Sequence, residues 1–290
     1  MTLSGRYTPP SLLQDLHVLD LLELAGSQSR AGRALAMHQS TVCRSLRLLQ
    51  QDLRLTPATA PAVCRHGHNA CLHHLRLAYR AHRLMAGVLR IGTDVLHHGL
   101  LERCRAIQPV PPRFRSAEHW VELIRHGLLD GAIVSSLALE QRLLSGQVPR
   151  WDGISARPLG TISLQLVATT ADAQRVLLPA QATAPLLHQS IAAQGLGIEK
   201  QPAACQEPEA WLKRARDRGL ALPIIPALVG ESWLSDQGLT ALREQPLLIE
   251  QLWLLSAEGV SNNTGRQLLR HLRSQLRNSE TMQDPHQNKS

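Results

Sequence analysis

"SRAGRALAMHQSTVCRSLRLLQ", Ser29 to Gln50, is the stretch on which the reading of this chain turns. Its apolar positions repeat at helical spacing on either side of a break at Ala36, Met37 and His38, so two short helices joined by a tight turn are expected. At 100° per residue, a helix starting near Gln39 places Val42, Leu46, Leu49 and Leu53 on one side. Ser40, Cys43, Arg44 and Arg47 project from the other side, with Gln39 and Thr41 at the N-terminal end. That outward face carries a hydroxyl, a thiol and two guanidiniums, and no acid. Arginine bridges guanine edges, glutamine pairs with adenine, and serine holds a phosphate. The preceding helix has Ala31 and Gly32, small enough for close helix approach, and Arg30 and Arg33 on its expected solvent side. With Arg54, these are candidates for the phosphate backbone. An ordinary helical hairpin with a solvated basic face accounts for the same pattern, so the rest of the chain has to decide.

Upstream, Leu12, Leu16, Leu19 and Leu22 form one apolar stripe, Gly26 ends that helix, and Ser27 or Ser29 caps the next. Downstream, Pro57 and Pro61 stop further helix, and residues 54–67 have room for a short hairpin. Helical spacing returns from about His68 to Leu89. There Cys71, Leu75, Ala78, His82, Met85 and Leu89 recur at 4-3 spacing, a seam suited to pairing with a second chain.

Charge is unevenly spread. Residues 1–90 hold eleven arginines against four acids, while residues 91–290 are nearly balanced with 20 basic and 19 acidic groups, so most of the net +8 lies in the first third. That is the expected footprint of a segment that meets a polyanion. No stretch approaches the roughly 20 apolar residues of a membrane span, and no secretory signal is read at the start. Five cysteines, an odd number, argue against a disulfide framework and for a reducing, cytoplasmic setting.

After Val88 the pattern becomes α/β. "VLRIG", "LLDGAIVS", "ISLQLVAT", "QRVLLP", "LALPIIP" and "EQLWLLSA" read as strands. "AEHWVELIRHG", "PLLHQSIAAQG", "PEAWLKRARDRG" and "NTGRQLLRHLRSQLRN" read as helices between and after them. Such alternation predicts largely parallel sheets. Beyond Asn278 the polar tail is expected to be disordered.

"GSQSRAGRALAMHQSTVCRSLRLLQQDL", residues 26–53, resembles the helix-turn-helix of LysR-type transcriptional regulators. Gly26, Ser27, Ala31, Gly32, Leu35, Gln39, Ser40, Val42 and Arg44 match that family's pattern without gaps. "LRIGT", "LIRHGLLDGAIVS" and "RGLALPIIPALV" extend the likeness over roughly residues 11–278. Gln28 replaces the family's aromatic, Cys43 its serine, and residues 54–67 lack its wing signatures. The resemblance implies an N-terminal all-α winged helix-turn-helix (1–66), a linker and dimerisation helix (67–90), and a C-terminal α/β effector domain of two subdomains, periplasmic-binding-protein-like (91–278), with a tail at 279–290. It implies double-stranded DNA, a small-molecule effector and self-association, as homodimer or homotetramer, as partners, with no membrane and no cofactor. The atypical wing motivates a second reading, a ligand-binding α/β protein whose DNA head has decayed.

Ligands of open α/β sheets sit beyond the carboxyl ends of strands. Thr93, Asp94, Ser135, Ser136, Thr169 and Thr170 follow three such ends and are the effector-binding candidates, with plain helix capping as the alternative for each. No Gly-x-Ser-x-Gly elbow or Gly-rich phosphate loop is present, so no enzyme is expected. "CRHGHNACLHH", residues 64–74, gathers Cys64, His66, His68, Cys71, His73 and His74. Their irregular spacing, with no Cys-x-x-Cys knuckle, favours a basic wing-to-linker segment over a zinc site. No metal is therefore expected.

Overall fold

The fold is taken from a computed structural model. It describes residues 7–59, 63–102, 104, 106–108, 110–144, 146–200, 207–230, 232–243, 246–258 and 263–282, excepting the side chains of 278–282. The chain opens with α1 (Gln14–Ala25), α2 (Gln28–Leu35), α3 (Gln39–Asp52) and α4 (Ala70–Met85). Each stop and start has a local cause. Gly26 ends α1 in the left-handed region at φ 75°, and the Ser27 hydroxyl caps α2 by accepting the Arg30 N–H. Asn69 caps α4 in the same way through the Leu72 N–H. Leu16, Leu19, Leu22, Ala31, Val42 and Leu46 form the core of this helical head, closed by Leu72 and Tyr79 of α4. Leu49 and Leu53 pack on its margin, so the apolar side expected for α3 faces inward.

There follow β1 (Leu89–Gly92), α5 (Gly99–Glu102), β2 (Ile107–Gln108), α6 (Ala117–Arg125) and β3 (Gly131–Ser135). Then come β4 (Ile154–Ala168), β5 (Arg175–Leu178), α7 (Pro185–Ala193), β6 (Gly197–Lys200), α8 (Pro208–Asp217) and β7 (Leu222–Ile224). Last are α9 (Pro226–Val229), α10 (Trp233–Asp236), β8 (Thr240–Ala241), β9 (Leu248–Ala257) and α11 (Asn263–Met282). The main sheet runs β2-β1-β3-β9-β4-β7, with β8 beside β4.

The sheet is mixed rather than largely parallel. β1 pairs in parallel with β2 and β3, and β5 with β6, but β9 runs antiparallel to both β3 and β4. β4 lies along β9 from Ile154 to Leu164 and then along β7 from Gln165 to Val167. One long strand thus leaves the first lobe, built on β1–β3, and enters the second, built on β5–β8. The pairing slips between Pro158 and Gly160, where Gly160 adopts φ 150°.

Two further expectations are corrected. Residues 54–67 form no strand among those described; a single backbone bond, from the Ala58 N–H to the Arg65 carbonyl, ties the two limbs of the loop. Two prolines leave too few N–H donors for a ladder. The last helix runs on through Met282, so residues 279–282 are helical, while 283–290 lie outside the described residues. The helical head also packs directly on the α/β part of the chain. Leu21 and Leu24 of α1, and Cys64 beyond α3, share one core with Trp120, Val121 and Ile124 of α6.

Candidate nucleic-acid interface and ligand cavity

The face expected on α3 is in place. Gln39, Ser40, Arg44 and Arg47 are exposed, and Thr41 and Cys43 are half-buried. Arg44 and Arg47 make no ion pair among the described residues. Gln39 donates its side-chain N–H to the side-chain Oε1 of Gln28 at 3.0 Å, which fixes it at the mouth of the α2–α3 turn. That turn is closed by the Met37 N–H on the Gly32 carbonyl at 2.8 Å, and a Cβ at Gly32 would collide with the Met37 carbonyl. This is why a residue without a side chain stands there. Leu48 is exposed beside the basic face, and Arg54 sits past the end of α3 in the left-handed region at φ 51°.

The two arginines of α2 behave differently from expectation. Arg30 is not on the solvent side: it is 8% exposed, and its Nε donates to Glu207 at 3.2 Å. Arg33 stays on the surface but donates to both oxygens of the same carboxylate, at 2.7 and 3.0 Å. Glu207 precedes α8, so an acid from the α/β part occupies both of the guanidiniums that were expected to face phosphate.

The charge asymmetry is also spent largely inside the molecule. Arg76 and Arg83 of α4 and Arg90 of β1 are fully buried. Asp20 accepts from Arg76 at 2.7 Å and from Arg90 at 2.9 Å, and Asp130 accepts from Arg83 at 2.7 Å with Arg80 alongside at 3.3 Å. The Asp130 carboxylate also takes the Arg90 backbone N–H. Tyr79 places its ring under Arg83 and Arg90, with the cations 4.6 and 5.0 Å from its centroid. Four of the eleven arginines that marked residues 1–90 as basic thus neutralise two aspartates in the interior. Among the described residues up to 90, the exposed arginines in no ion pair are Arg44, Arg47, Arg54 and Arg65.

The effector candidates do not converge. Asp94 caps the turn that follows β1, accepting the N–H groups of Leu96 and His97 and the His97 ring. The Ser135 hydroxyl accepts the Leu137 N–H. For these two the capping alternative holds. Thr93 is buried with its hydroxyl unpartnered, and Thr169 and Thr170 are exposed beyond β4. Only Ser136 lines the largest cavity described, about 420 Å³, where it meets Arg142, Leu186 and Ser190 of α7, and Gln251 and Trp253 of β9. The volume suits a metabolite-sized ligand.

His97 is fully buried between two carboxylates, Nδ1 to Asp94 at 2.8 Å and Nε2 to Glu250 of β9 at 2.9 Å. Burial works against its charge, but Asp94 and Glu250 outweigh burial and hold the ring well above the usual histidine range. Both ring nitrogens are thus engaged by carboxylates.

No family model matches this chain, and no curated protein does. It is similar to solved structures of LysR-family regulators. ArgP from Mycobacterium tuberculosis is 16% identical with a TM-score of 0.47, over 90% of this chain and 96% of that one. CbnR, a LysR family transcriptional regulator, is 12% identical with a TM-score of 0.47, over 91% and 98%. LysG from Corynebacterium glutamicum, solved with bound effector Arg, is 14% identical with a TM-score of 0.42, over 90% and 97%. No helix among the described residues is long and apolar enough to cross a membrane.

Sequence reasoning passed over Glu23, Glu207 and Glu250, and met Asp130 only as the acid of the Gly-x-x-Asp stretch in "LIRHGLLDGAIVS". Glu23, buried in α1, accepts the backbone N–H groups of Arg65 and His66 at 3.0 and 2.8 Å and so pins the loop after α3 to the head. An acid inside the otherwise apolar α1 stripe was the signal available for Asp20 and Glu23. Glu207 and Glu250 had no local mark, because their partners lie far along the chain.

Proposed function

We propose that the protein is a DNA-binding transcriptional regulator of LysR type that senses a small molecule through its α/β lobes, in the cytoplasm and as a homodimer or a homodimer-built tetramer. The observation that carries this reading is the exposed, acid-free face of α3, with Arg44 and Arg47 in no ion pair although six of the eight other described arginines up to residue 90 (Arg30, Arg33, Arg76, Arg80, Arg83 and Arg90) are paired with carboxylates. Gln39, Ser40 and Arg44 supply base-edge and phosphate contacts in the major groove, and Thr41, Cys43, Arg47 and Arg54 flank them.

The effector site is the 420 Å³ cavity, where Ser136, Ser190, Gln251 and Arg142 offer hydrogen bonds and one positive charge. A ligand there touches β9 and α7, elements of both lobes, and so biases their relative position. Self-association runs along α4. Its buried side is spent within the chain on Leu72, Arg76, Tyr79 and Arg83, while Cys71, Leu77, Ala78 and Met85 stay exposed, Met85 at 86%.

The test is selection of bound genomic fragments by the purified full chain, followed by titration of one selected site at several salt concentrations. A DNA reader loses affinity linearly in log–log form as salt rises. Absence of binding even at low salt would favour the second reading, a ligand-binding protein with a decayed head. The strandless loop at 54–67 is the observation on that side.

A further inference from the structure

The cysteine–histidine cluster at residues 64–74 looked incomplete because its spacing supplied no closed ligand set. The fold supplies the missing member from elsewhere. Cys64 comes from the loop after α3, His68 from just before the cap of α4, and His126 from the residue that ends α6. One ligand atom from each lies within 4.8 Å of the other two. The rings of His68 and His126 approach edge to face, with centroids 4.4 Å apart. The His68 ring makes no hydrogen bond among the described residues.

We propose that Cys64, His68 and His126 bind a zinc-class divalent cation that ties the DNA head to the sensor. One thiolate with two imidazoles is the donor set of a borderline-soft ion rather than of magnesium or calcium. Ligand atoms of a tetrahedral zinc site stand roughly 3.3–3.7 Å apart, so the trio has to contract by about 1 Å. His68 is exposed and free to swing inward, while Cys64 is buried and fixed. The fixed ligand is already oriented: Arg76 Nη1 donates to its Sγ at 3.2 Å, as an outer-shell group does for a bound thiolate. Glu23 holds the next two backbone N–H groups, which rigidifies the loop that carries Cys64. The fourth position faces water or His73, whose ring centroid is 6.0 Å from that of His68. Cys71 and His74, which the sequence pattern grouped with these residues, are exposed on α4 and take no part.

The site joins two parts of the chain whose relation matters for the proposed regulator, yet it does not rest on that reading. Its experiment reads metal, not DNA. Metal-free full-length protein is titrated with Co²⁺, then with Zn²⁺ in competition. The expected result is one equivalent of cobalt with tetrahedral d–d absorption and a thiolate-to-cobalt charge-transfer band, displaced by zinc. Cys64→Ser abolishes the charge-transfer band. Cys64→Ser, His68→Gln and His126→Gln each weaken binding by at least the roughly 10–100-fold that loss of an outer-shell partner brings. His74→Gln leaves it unchanged. Because Cys64 is buried, its variant could misfold; the exposed His68→Gln then decides, with the zinc-induced rise in melting temperature as a second measurement. No stoichiometric binding by the wild-type chain overturns the proposal. So does binding that persists at wild-type affinity in both His68→Gln and His126→Gln.

Discussion

Arg44 and Arg30 sit 14 residues apart and show how far a single residue's role can be read from its neighbours. For Arg44 the helical period is enough: the positions that must be buried are filled by Val42 and Leu46, and Arg44 is left outside. Arg44→Ala should cost about 1–3 kcal/mol in specific binding, seen as a shifted midpoint in a gel-shift titration of a selected site. For Arg30 the period also pointed outward, but its partner Glu207 is 177 residues away, and no local pattern announces such a pair. Titratable residues follow the same rule. His17 and His119 each face a guanidinium, Arg90 at 3.1 Å and Arg115 at 2.8 Å. Burial first, and then those cations, push both rings down to about 3. The unfolded chain therefore binds more protons than the native one below about pH 6.5, so stability should fall as pH drops from there toward 4. Each ring contributes up to about 1.4 kcal/mol per pH unit. Urea unfolding across that range tests this, and the double variant His17→Gln, His119→Gln should flatten the slope. His97 acts in the opposite direction. Its contribution is complete below about pH 6.5 and is lost only as pH climbs through its raised native value.

Among the elements, most helix starts were legible to within a residue or two, because capping residues mark them, whereas α4 ends at Met85 rather than Leu89 and α11 at Met282 rather than Asn278. Gly26, which ends α1, is the clearest mark: besides its positive φ, a Cβ there would run into the Arg113 guanidinium. Gly26→Ala should destabilise by about 1–2 kcal/mol from the left-handed backbone alone, read as a lower urea midpoint, with more if Arg113 cannot move aside. The long strand β4 was only half legible. "ISLQLVAT" was read as a strand from Ile162, whereas the structure absorbs Pro158 and Gly160 in a register slip and carries the strand back to Ile154. Antiparallel pairing across the lobes was invisible for the same reason that Glu207 was: it joins distant segments. The contact between α2 and the start of α8 has its own consequence. Glu207→Gln frees Arg30 and Arg33 for phosphate, so DNA affinity should rise. The slope of log affinity against log salt should steepen by about 0.9 for each arginine gained. An unchanged slope would show that α2 does not approach the DNA backbone.

Over the whole molecule, the net charge was legible and its meaning was not. An excess of arginine in the first ninety residues is what a polyanion-binding segment shows, but it is equally what a buried ionic lattice requires. Only the positions of Asp20 and Asp130 separate the two. That lattice spans α1, α4, β1 and the residue before β3, so it couples head, linker and sensor through groups that cannot be left unpaired. Asp130→Ala strands Arg83 and Arg80 in the interior and should cost about 3–5 kcal/mol, measurable by denaturant unfolding. A single cooperative transition in that experiment is expected, because the head shares its core with α6.

The same lattice bears on descent. A crossover between two such genes anywhere from codon 21 to codon 75 would part Asp20 from Arg76 and Arg90, and one between codons 91 and 129 would part Arg83 from Asp130. Unless the donor brings matching charges, either exchange leaves a buried charge unpaired. The helical head and the α/β lobes are therefore expected to be exchangeable only as one block.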